Sequence, residues 1–330
     1  LIEKERFLPI RIQKNHALLK RISQNHPKRT KIESDQTNRI AGCKGEQAID
    51  FHLSKLPEKE YLILHDLRLS NGKHFFQIDT LLLNSAFVLI LEVKNCGGTL
   101  YFDPDFHQLI QTNSRGETKG YPNPIEQASQ QCTELKKWLQ KRNVNIPIEF
   151  FVIISKPSTI LKAAPGYAKT LQRVLHVQYL LKQIEKMKTT YKNELLSLKD
   201  LKKMSRSLLK EHSPKTFDIL KHYEIPISEI QTGVICSVCS NKPMKRHFGT
   251  WYCPKCQAKD KHAHIQAIND LFLLNNHTPL TNQQISRFLH LSSGDIAKKL
   301  LISMQLPYSG TKKGRVYFPM PHYQRMKALE

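Results

Sequence analysis

The sequence predicts an α/β fold: an α/β/α core built on a mixed sheet, followed by smaller C-terminal modules. Three observations lead to this reading. Residues 75–95 (FFQIDTLLLNSAFVLILEVKN) hold two apolar runs broken by Asn84-Ser85, which reads as a buried β-hairpin rather than a helix. A helix start at Asn123-Pro124-Ile125-Glu126, with a capping Asn, Pro at the first helical position and Glu at the third, precedes a buried strand at 148–155 (IEFFVIIS). Strands alternating with helices in this way stack as layers. Beyond residue 230, two CxxC pairs and a run of short helical segments differ in character from that core.

Residues 1–40 carry ten Lys/Arg against four Asp/Glu, with Ile12, Leu18, Leu19 and Ile22 at loosely helical spacing. A basic helical arm is expected there, either lying on a phosphate backbone or packed as a solvated helix. From Gly45, the segment GEQAIDFHLSKL places Ile49, Leu53 and Leu56 on one stripe of an amphipathic helix. Glu46 extends that stripe and falls in the helix's first turn, where the macrodipole favours an anion. Residues 61–69 (YLILHDLRL) form a strand leading into the hairpin, with His65 and Asp66 as polar residues near its end.

Charged and polar groups interrupt the hairpin. Gln77 and Asp79 share one face of its first strand, and Glu92 and Lys94 share one face of its second. Burying such groups is costly unless they pair or hold a metal. An even loop centred on Ser85-Ala86 sets Asp79 opposite Glu92, whereas an odd loop without a bulge splits them between faces. An Asp followed on the adjacent strand by Glu-x-Lys suits metal-assisted phosphodiester cleavage. Two carboxylates hold Mg²⁺, and the lysine orients the attacking water or helps to deprotonate it. A structural ion pair between strands is the competing reading.

After Lys94, Gly97-Gly98 allows a sharp turn, and residues 99–102 and 107–112 form a second hairpin around Asp103-Pro104-Asp105. Residues 114–123 read as a loop. The helix from Asn123 runs to about Arg142, buries Ala128, Cys132, Leu135 and Leu139, and leaves Gln127 at the edge of its stripe. Residues 172–177 give a further strand. Cys43, Cys96 and Cys132 stand singly and read as small core or surface residues.

Gly45-Glu46, Gln77-Ile78-Asp79, Glu92-Val93-Lys94-Asn95, Gly97-Gly98 and Asn123-Pro124 with Gln127-Ala128 stand in this order over residues 41–140. In them the segment resembles the NERD domain, the nuclease-related domain placed within the PD-(D/E)XK nuclease superfamily alongside restriction enzymes. Ile78-Asp79 replaces the superfamily's Pro-Asp. The resemblance implies a restriction-endonuclease-like core with Asp79 and Glu92 as ligands of Mg²⁺ or Mn²⁺ and the Val93 carbonyl as a further ligand. It implies Glu46 as the acidic residue of the first nuclease motif. Lys94 is then the residue that positions water, and Gln127 a supporting residue that hydrogen-bonds a ligand, the water or the substrate phosphate.

The formal charge of +23, with 51 Lys+Arg against 28 Asp+Glu, points to a polyanionic partner, for which nucleic acid is the usual candidate. No apolar stretch approaches the ~18 residues needed to span a bilayer, and the N-terminus lacks the pattern of a signal peptide. Seven cysteines, four of them in CxxC pairs, suit a reducing compartment with a metal site, so a cytoplasmic location is expected.

Residues 181–233 read as a basic helical linker with leucines at helical spacing. Cys236 and Cys239 form one CxxC knuckle, and Cys253 and Cys256 form a second after 13 intervening residues. Four thiolates at this spacing suit structural Zn²⁺, and the segment 234–260 resembles a zinc ribbon. Lys245, Arg246 and Trp251 are candidate nucleic-acid contacts, although Trp251 and Tyr252 could instead fill the ribbon's core. Residues 261–330 resemble a winged helix-turn-helix: helical pieces from 265, a second capped by Thr281, and a third capped by Ser292 or Ser293 and running through Leu306. Lys298 and Lys299 lie on the candidate major-groove helix, and Lys312, Lys313 and Arg315 on the wing.

The combined expectation is a basic arm at 1–40, a NERD domain at 41–180, then linker, ribbon and winged helix. It acts as a Mg²⁺- or Mn²⁺-dependent nuclease with structural Zn²⁺ and prefers DNA. The competing readings are a DNA-binding regulator or scaffold with a retired nuclease fold, and an RNA-directed enzyme.

Overall fold

The computed structural model describes residues 1–72, 74–164, 167 and 172–320. The chain divides into two compact units, one of Leu1–Arg6 with Ala41–Lys215, the other of Phe7–Ile40 with Thr216–Glu330. In chain order the elements are β1 (Ile2–Lys4), α1 (Ile10–Arg21), α2 (Arg29–Ala48), α3 (Asp50–Leu53), β2 (Leu62–Ser70), β3 (Phe75–Leu83) and β4 (Val88–Lys94). There follow β5 (Thr99–Asp103), β6 (Gln108–Thr112), β7 (Thr118–Pro122), α4 (Pro124–Gln140), β8 (Ile148–Ile154), β9 (Ile160–Ala163), β10 (Val174–His176), α5 (Leu180–Thr190) and α6 (Leu198–Glu211).

In the first unit the main sheet has the strand order β1-β2-β3-β4-β8-β10. β2, β3 and β4 run antiparallel in succession, while β1 joins β2, β8 joins β4 and β10 joins β8 in parallel. The central strands are continuously apolar because both faces are covered. On one face Ile49, Leu53 and Leu56 pack with Leu180, Ile184 and Met187 of α5 against Leu82, Leu89, Leu91 and Val93. On the other, Leu135, Trp138 and Leu139 of α4 and Leu201, Met204 and Leu208 of α6 cover Leu81, Leu83, Val88 and Ile90. Each such side chain, fully buried, contributes about 1.5–3 kcal/mol. The result is the expected mixed-sheet α/β/α sandwich.

Several expectations change. The stretch after residue 180 is not a linker: α5 and α6 are the outer layers of the sandwich, since their leucines recur at helical spacing and meet opposite faces of the sheet. The first 40 residues are not one arm either. Residues 1–6 supply the edge strand β1, whereas Ala17 and Leu18 of α1, Ile22 just after it and Ile32 of α2 join the core of the second unit. Residues 118–122, expected in a loop, form β7 and extend a second sheet of order β7-β6-β5-β9. The turn into β7 is made by Asn113, whose Oδ1 accepts from the N–H of Arg115 and of Glu117, with Gly116 at φ 80°.

The second unit contains α1 and the first part of α2, then α7 (Ile219–Tyr223), β11 (Lys245–His247), β12 (Thr250–Tyr252), β13 (Lys259–Asp260) and α8 (Ala263–Leu274). β14 (Leu280–Thr281), α9 (Asn282–Leu289), α10 (Gly294–Ser303), β15 (Tyr308–Ser309) and β16 (Val316–Tyr317) complete it. Thr281 begins α9 with a capping box closed by Gln284, and Ser293 caps α10, which ends at Ser303 rather than Leu306. β14, β16 and β15 form a small antiparallel sheet beside these helices. The segments 234–260 and 261–320, expected as separate modules, share one core in which Cys236, Trp251 and Cys253 pack with Ile268, Phe272, Ile285 and Leu301. The segment 234–260 is too short to bury a sufficient core alone, and it completes one with the helices that follow. Among the described residues, no helix is long and apolar enough to cross a membrane.

Candidate active site and four-cysteine centre

The loop between β3 and β4 is the even one. Leu83 pairs with Val88 and Thr80 with Leu91, a register that sets Asp79 opposite Glu92. The β3–β4 ladder stops at Thr80, yet β4 continues alongside β8 as far as Lys94. At this fork the Asp79 carboxylate takes the place of a backbone partner and accepts the N–H of Val93 at 3.0 Å.

The inside–outside alternation of β2 and β3 changes phase beside Asp79, while their register is unbroken. Leu64 and Leu67 on β2, and Ile78 and Leu81 on β3, pack into the same core layer although the members of each pair are three positions apart. Strict alternation would place them on opposite faces. The change of phase falls at His65-Asp66 and Asp79-Thr80, where Asp66 takes the left-handed φ of 48°.

Glu92 is 1% exposed. Its Oε1 accepts from Lys94 Nζ at 2.6 Å and its Oε2 from Gln131 Nε2 at 2.8 Å. Lys94 also donates to Gln127 Oε1 at 3.1 Å. The helix start at Asn123 makes this possible: Asn123 Oδ1 accepts from the Ile125 N–H, and α4 then carries Gln127 and Gln131 on one face, one turn apart. Burial acts to lower the Lys94 pKa, but the Glu92 carboxylate outweighs it and the ammonium is retained.

Glu46 reaches the site from an unexpected place. It lies in the last turn of α2, not in the first turn of a helix opening at Gly45, because that helix already begins at Arg29. The macrodipole there disfavours an anion. Compensation comes from Arg6, whose Nη1 donates to Glu46 Oε2 at 2.6 Å. Gly45 permits the approach: a Cβ at this position would stand 2.3 Å from the Asn95 Cβ.

The carboxylates repel one another. The Asp79 carboxyl, densely surrounded by protein, is pushed well above its ordinary range by burial and then by the Glu92 and Glu46 charges. Burial raises Glu46 to about 7, against the pull of Arg6. His65 is lowered to about 3 by burial and by the nearby Arg6 and Lys4, and is therefore neutral. A concentration of negative charge with two carboxylates at a strand fork fits Mg²⁺, which is usually held by one or two carboxylates and keeps several waters.

The cysteines form a different centre. The four sulfurs of Cys236, Cys239, Cys253 and Cys256 lie within 4.8 Å of one another, with Cys236–Cys256 at 3.6 Å and Cys239–Cys253 at 3.5 Å. Disulfide sulfurs sit about 2.05 Å apart, whereas a tetrahedron with Zn–S bonds of ~2.3 Å has sulfur–sulfur edges of about 3.8 Å. The two knuckles repeat one backbone turn. Ser240 donates to the Cys236 carbonyl and Gln257 to the Cys253 carbonyl, both at 2.9 Å, and Ser240 and Gln257 take φ of 58° and 62°. The Cys253 thiol is lowered to about 6, chiefly by the backbone N–H of Cys256. The donor set fits Zn²⁺.

Trp251 is not available for base stacking. It is 1% exposed, its indole N–H donates to His264 Nδ1 at 3.2 Å, and it fills the shared core. Arg246 lies over its ring at 5.3 Å, while Lys245 is exposed on β11. Phe248, at the turn between β11 and β12, is 94% exposed. Lys298, Lys312 and Arg315 line one groove with Arg287 and the N-terminal residues of α9 and α10. Lys299 is exposed on α10, and the side chain of Lys313 lies outside the described residues.

Residues 41–155 match the family model of NERD, the nuclease-related domain. The matched NERD segment contains Glu46, Asp79, Glu92, Lys94, Gln127 and Gln131. Comparisons with curated proteins and with solved structures gave no match. Arg6, His65, Thr80 and Gln131 are absent from the sequence-based site. Gln131 has a signal, its i+4 spacing from Gln127 on a capped helix. Arg6 and His65 have none, because only the pairing of β1 with β2 and of β2 with β3 brings them to the fork.

Proposed function

We propose that the chain is a nuclease that hydrolyses phosphodiester bonds of nucleic acid, DNA in preference to RNA, with Mg²⁺ or Mn²⁺ at the fork of β3 and β4. One observation carries the reading: Asp79, Glu92 and Lys94 meet where β3 and β4 part, with Glu46 and Gln127 beside them. Asp79, Glu92 and the Val93 carbonyl would hold the cation, which supplies Lewis acidity and a bound water of lowered pKa. The Val93 N–H fixes the Asp79 carboxylate, and Gln131 fixes that of Glu92. Lys94, held between Glu92 and Gln127, directs an N–H towards the attacking water or the non-bridging phosphate oxygens and offsets the charge that grows there. Glu46 orders the water shell.

In this reading the four cysteines hold structural Zn²⁺ as a ribbon, and the segment from α8 to β16 acts as a winged helix with α10 and the wing against DNA. Lys298, Lys312 and Arg315 would pair with phosphates. Thiolates kept for metal persist in a reducing compartment, and we take the cytoplasm as its location.

The test is cleavage of labelled plasmid, single-stranded DNA and RNA with Mg²⁺, Mn²⁺ or EDTA, comparing wild type with Asp79→Ala and Lys94→Ala. Metal-dependent cutting lost in both variants supports the proposal. Absence of cutting on every substrate, with DNA binding unchanged in the variants, sinks it in favour of a binding protein.

A further inference from the structure

Arg6 lies outside the matched segment 41–155, yet its guanidinium ties together four groups at the fork. Nη1 donates to Glu46 Oε2 at 2.6 Å, and Nε and Nη2 reach the two oxygens of Asp50 at 3.2 Å each. Nη2 also donates to Thr80 Oγ1 at 3.0 Å and stands 3.0 Å from His65 Nδ1. The side chain is 4% exposed. A guanidinium removed from water must be paired, and its planar array of donors fixes the direction of each partner.

Its position is set by strand pairing. Ile2 and Lys4 pair with Ile63 and Leu64 on β2, and Lys4 Nζ donates to the carbonyls of His65 and Asp66 at 2.8 and 3.0 Å. Lys4 and Arg6 therefore both hold the His65-Asp66 stretch that lies opposite Asp79-Thr80. Thr80 follows Asp79 and is the last β3 residue paired with β4. Glu46 comes from the end of α2, where a lone carboxylate would turn towards solvent.

We propose that Arg6 is a positioning residue of the site: it fixes the Glu46 carboxylate relative to the Asp79-Thr80 corner, so that residues 1–6 belong to the catalytic unit. This rests on the nuclease reading above. An ordinary structural ion pair would stabilise the fold without acting through Glu46. Positioning makes the effect of Arg6 depend on Glu46.

The experiment is a double-variant cycle in the full chain: Arg6→Met, Arg6→Lys, Glu46→Gln, and Arg6→Met with Glu46→Gln. Two quantities are read: plasmid cleavage rate with Mn²⁺, and Mn²⁺ affinity by calorimetry without DNA. Melting curves define a temperature at which all four variants are folded. Arg6→Met is expected to slow cleavage about 10- to 100-fold. Arg6→Lys recovers only part of this, because an ammonium cannot span Glu46 and both oxygens of Asp50. In the Glu46→Gln background, Arg6→Met should change the rate by less than about threefold, and its effect on Mn²⁺ affinity should likewise vanish. Equal losses in both backgrounds, or no loss in either, overturn the proposal. A wild type that cuts no substrate but binds Mn²⁺ overturns the nuclease reading alone. The affinity cycle then decides the role of Arg6, with coupling for it and additivity against it. A wild type that neither cuts nor binds Mn²⁺ overturns both.

Discussion

The acidic fork and the four-cysteine cluster are both suited to a metal, and they are assembled in opposite ways. The cysteines fall within residues 236–256, and two copies of one backbone turn bring their sulfurs to nearly tetrahedral spacing. The fork draws on residues 1–6, α2, β3, β4 and α4, and burial, with repulsion between its carboxylates, pushes the protonation of Asp79 and Glu46 upwards. One centre is a local device, set by residues close in sequence. At the other, the fold works against its own charges to keep the carboxylates together, a strain that persists only where the surrounding structure enforces it.

The sharpest separation of the two comes from removing a ligand from each. Cys253→Ser is expected to abolish stoichiometric zinc and the cooperative melting of the second unit, since structural zinc contributes on the order of 10–16 kcal/mol in small zinc-dependent folds; metal analysis with calorimetry reads this out. Asp79→Ala should leave melting intact while cleavage falls by about 10³ or more. Equal damage to the fold from both substitutions would erase the contrast. Within the fork, Lys94→Ala should approach the Asp79→Ala loss, whereas Gln127→Ala should cost about tenfold, as a residue that only orients Lys94.

The pH dependence gives a smaller effect. Asp79 and Glu46 are raised from ordinary values of 3.8 and 4.5. Their contribution to stability is thus fully present below those values and is lost as pH rises, for Glu46 through about 7. Melting of the metal-free first unit is expected at lower temperature at pH 8 than at pH 5. Asp79→Asn, or millimolar Mg²⁺, should flatten that slope. A rising melting temperature over the same interval would refute the electrostatic account. Smallest of all, replacing Lys298, Lys312 and Arg315 with Ala should weaken duplex binding and reduce its salt slope by about one for each phosphate left unpaired, with zinc content unchanged.

Sequence patterns expose the local parts of this molecule and hide those that depend on pairing. The cysteine knuckles and the Asn123 cap can be read because each is set by neighbours within a few residues, whereas the hairpin register stays open between an even and an odd loop until the strands are seen to pair. Glu46 stands out in the sequence as a candidate, but its place at the end of a helix does not, since nothing at Gly45 reveals that α2 began at Arg29. Arg6 and His65 carry no local mark, and Trp251 reads as a stacking candidate although it is buried, because exposure follows from tertiary packing and not from residue type. The leucines of α5 and α6 are visible as helical stripes, but no local feature says that two such stripes cover opposite faces of one sheet.

The discontinuity of the second unit also governs the order in which it can be completed during synthesis. Ala17, Leu18, Ile22 and Ile32 leave the ribosome early, whereas Ile219, Tyr223, Ile225 and Leu274, which share their core, follow only after the whole first unit has been translated. For that interval the nascent chain carries an apolar helical segment whose partners have not yet been made. Such a segment is a natural client for a chaperone, and a pause in translation near residue 215 would prolong its exposure.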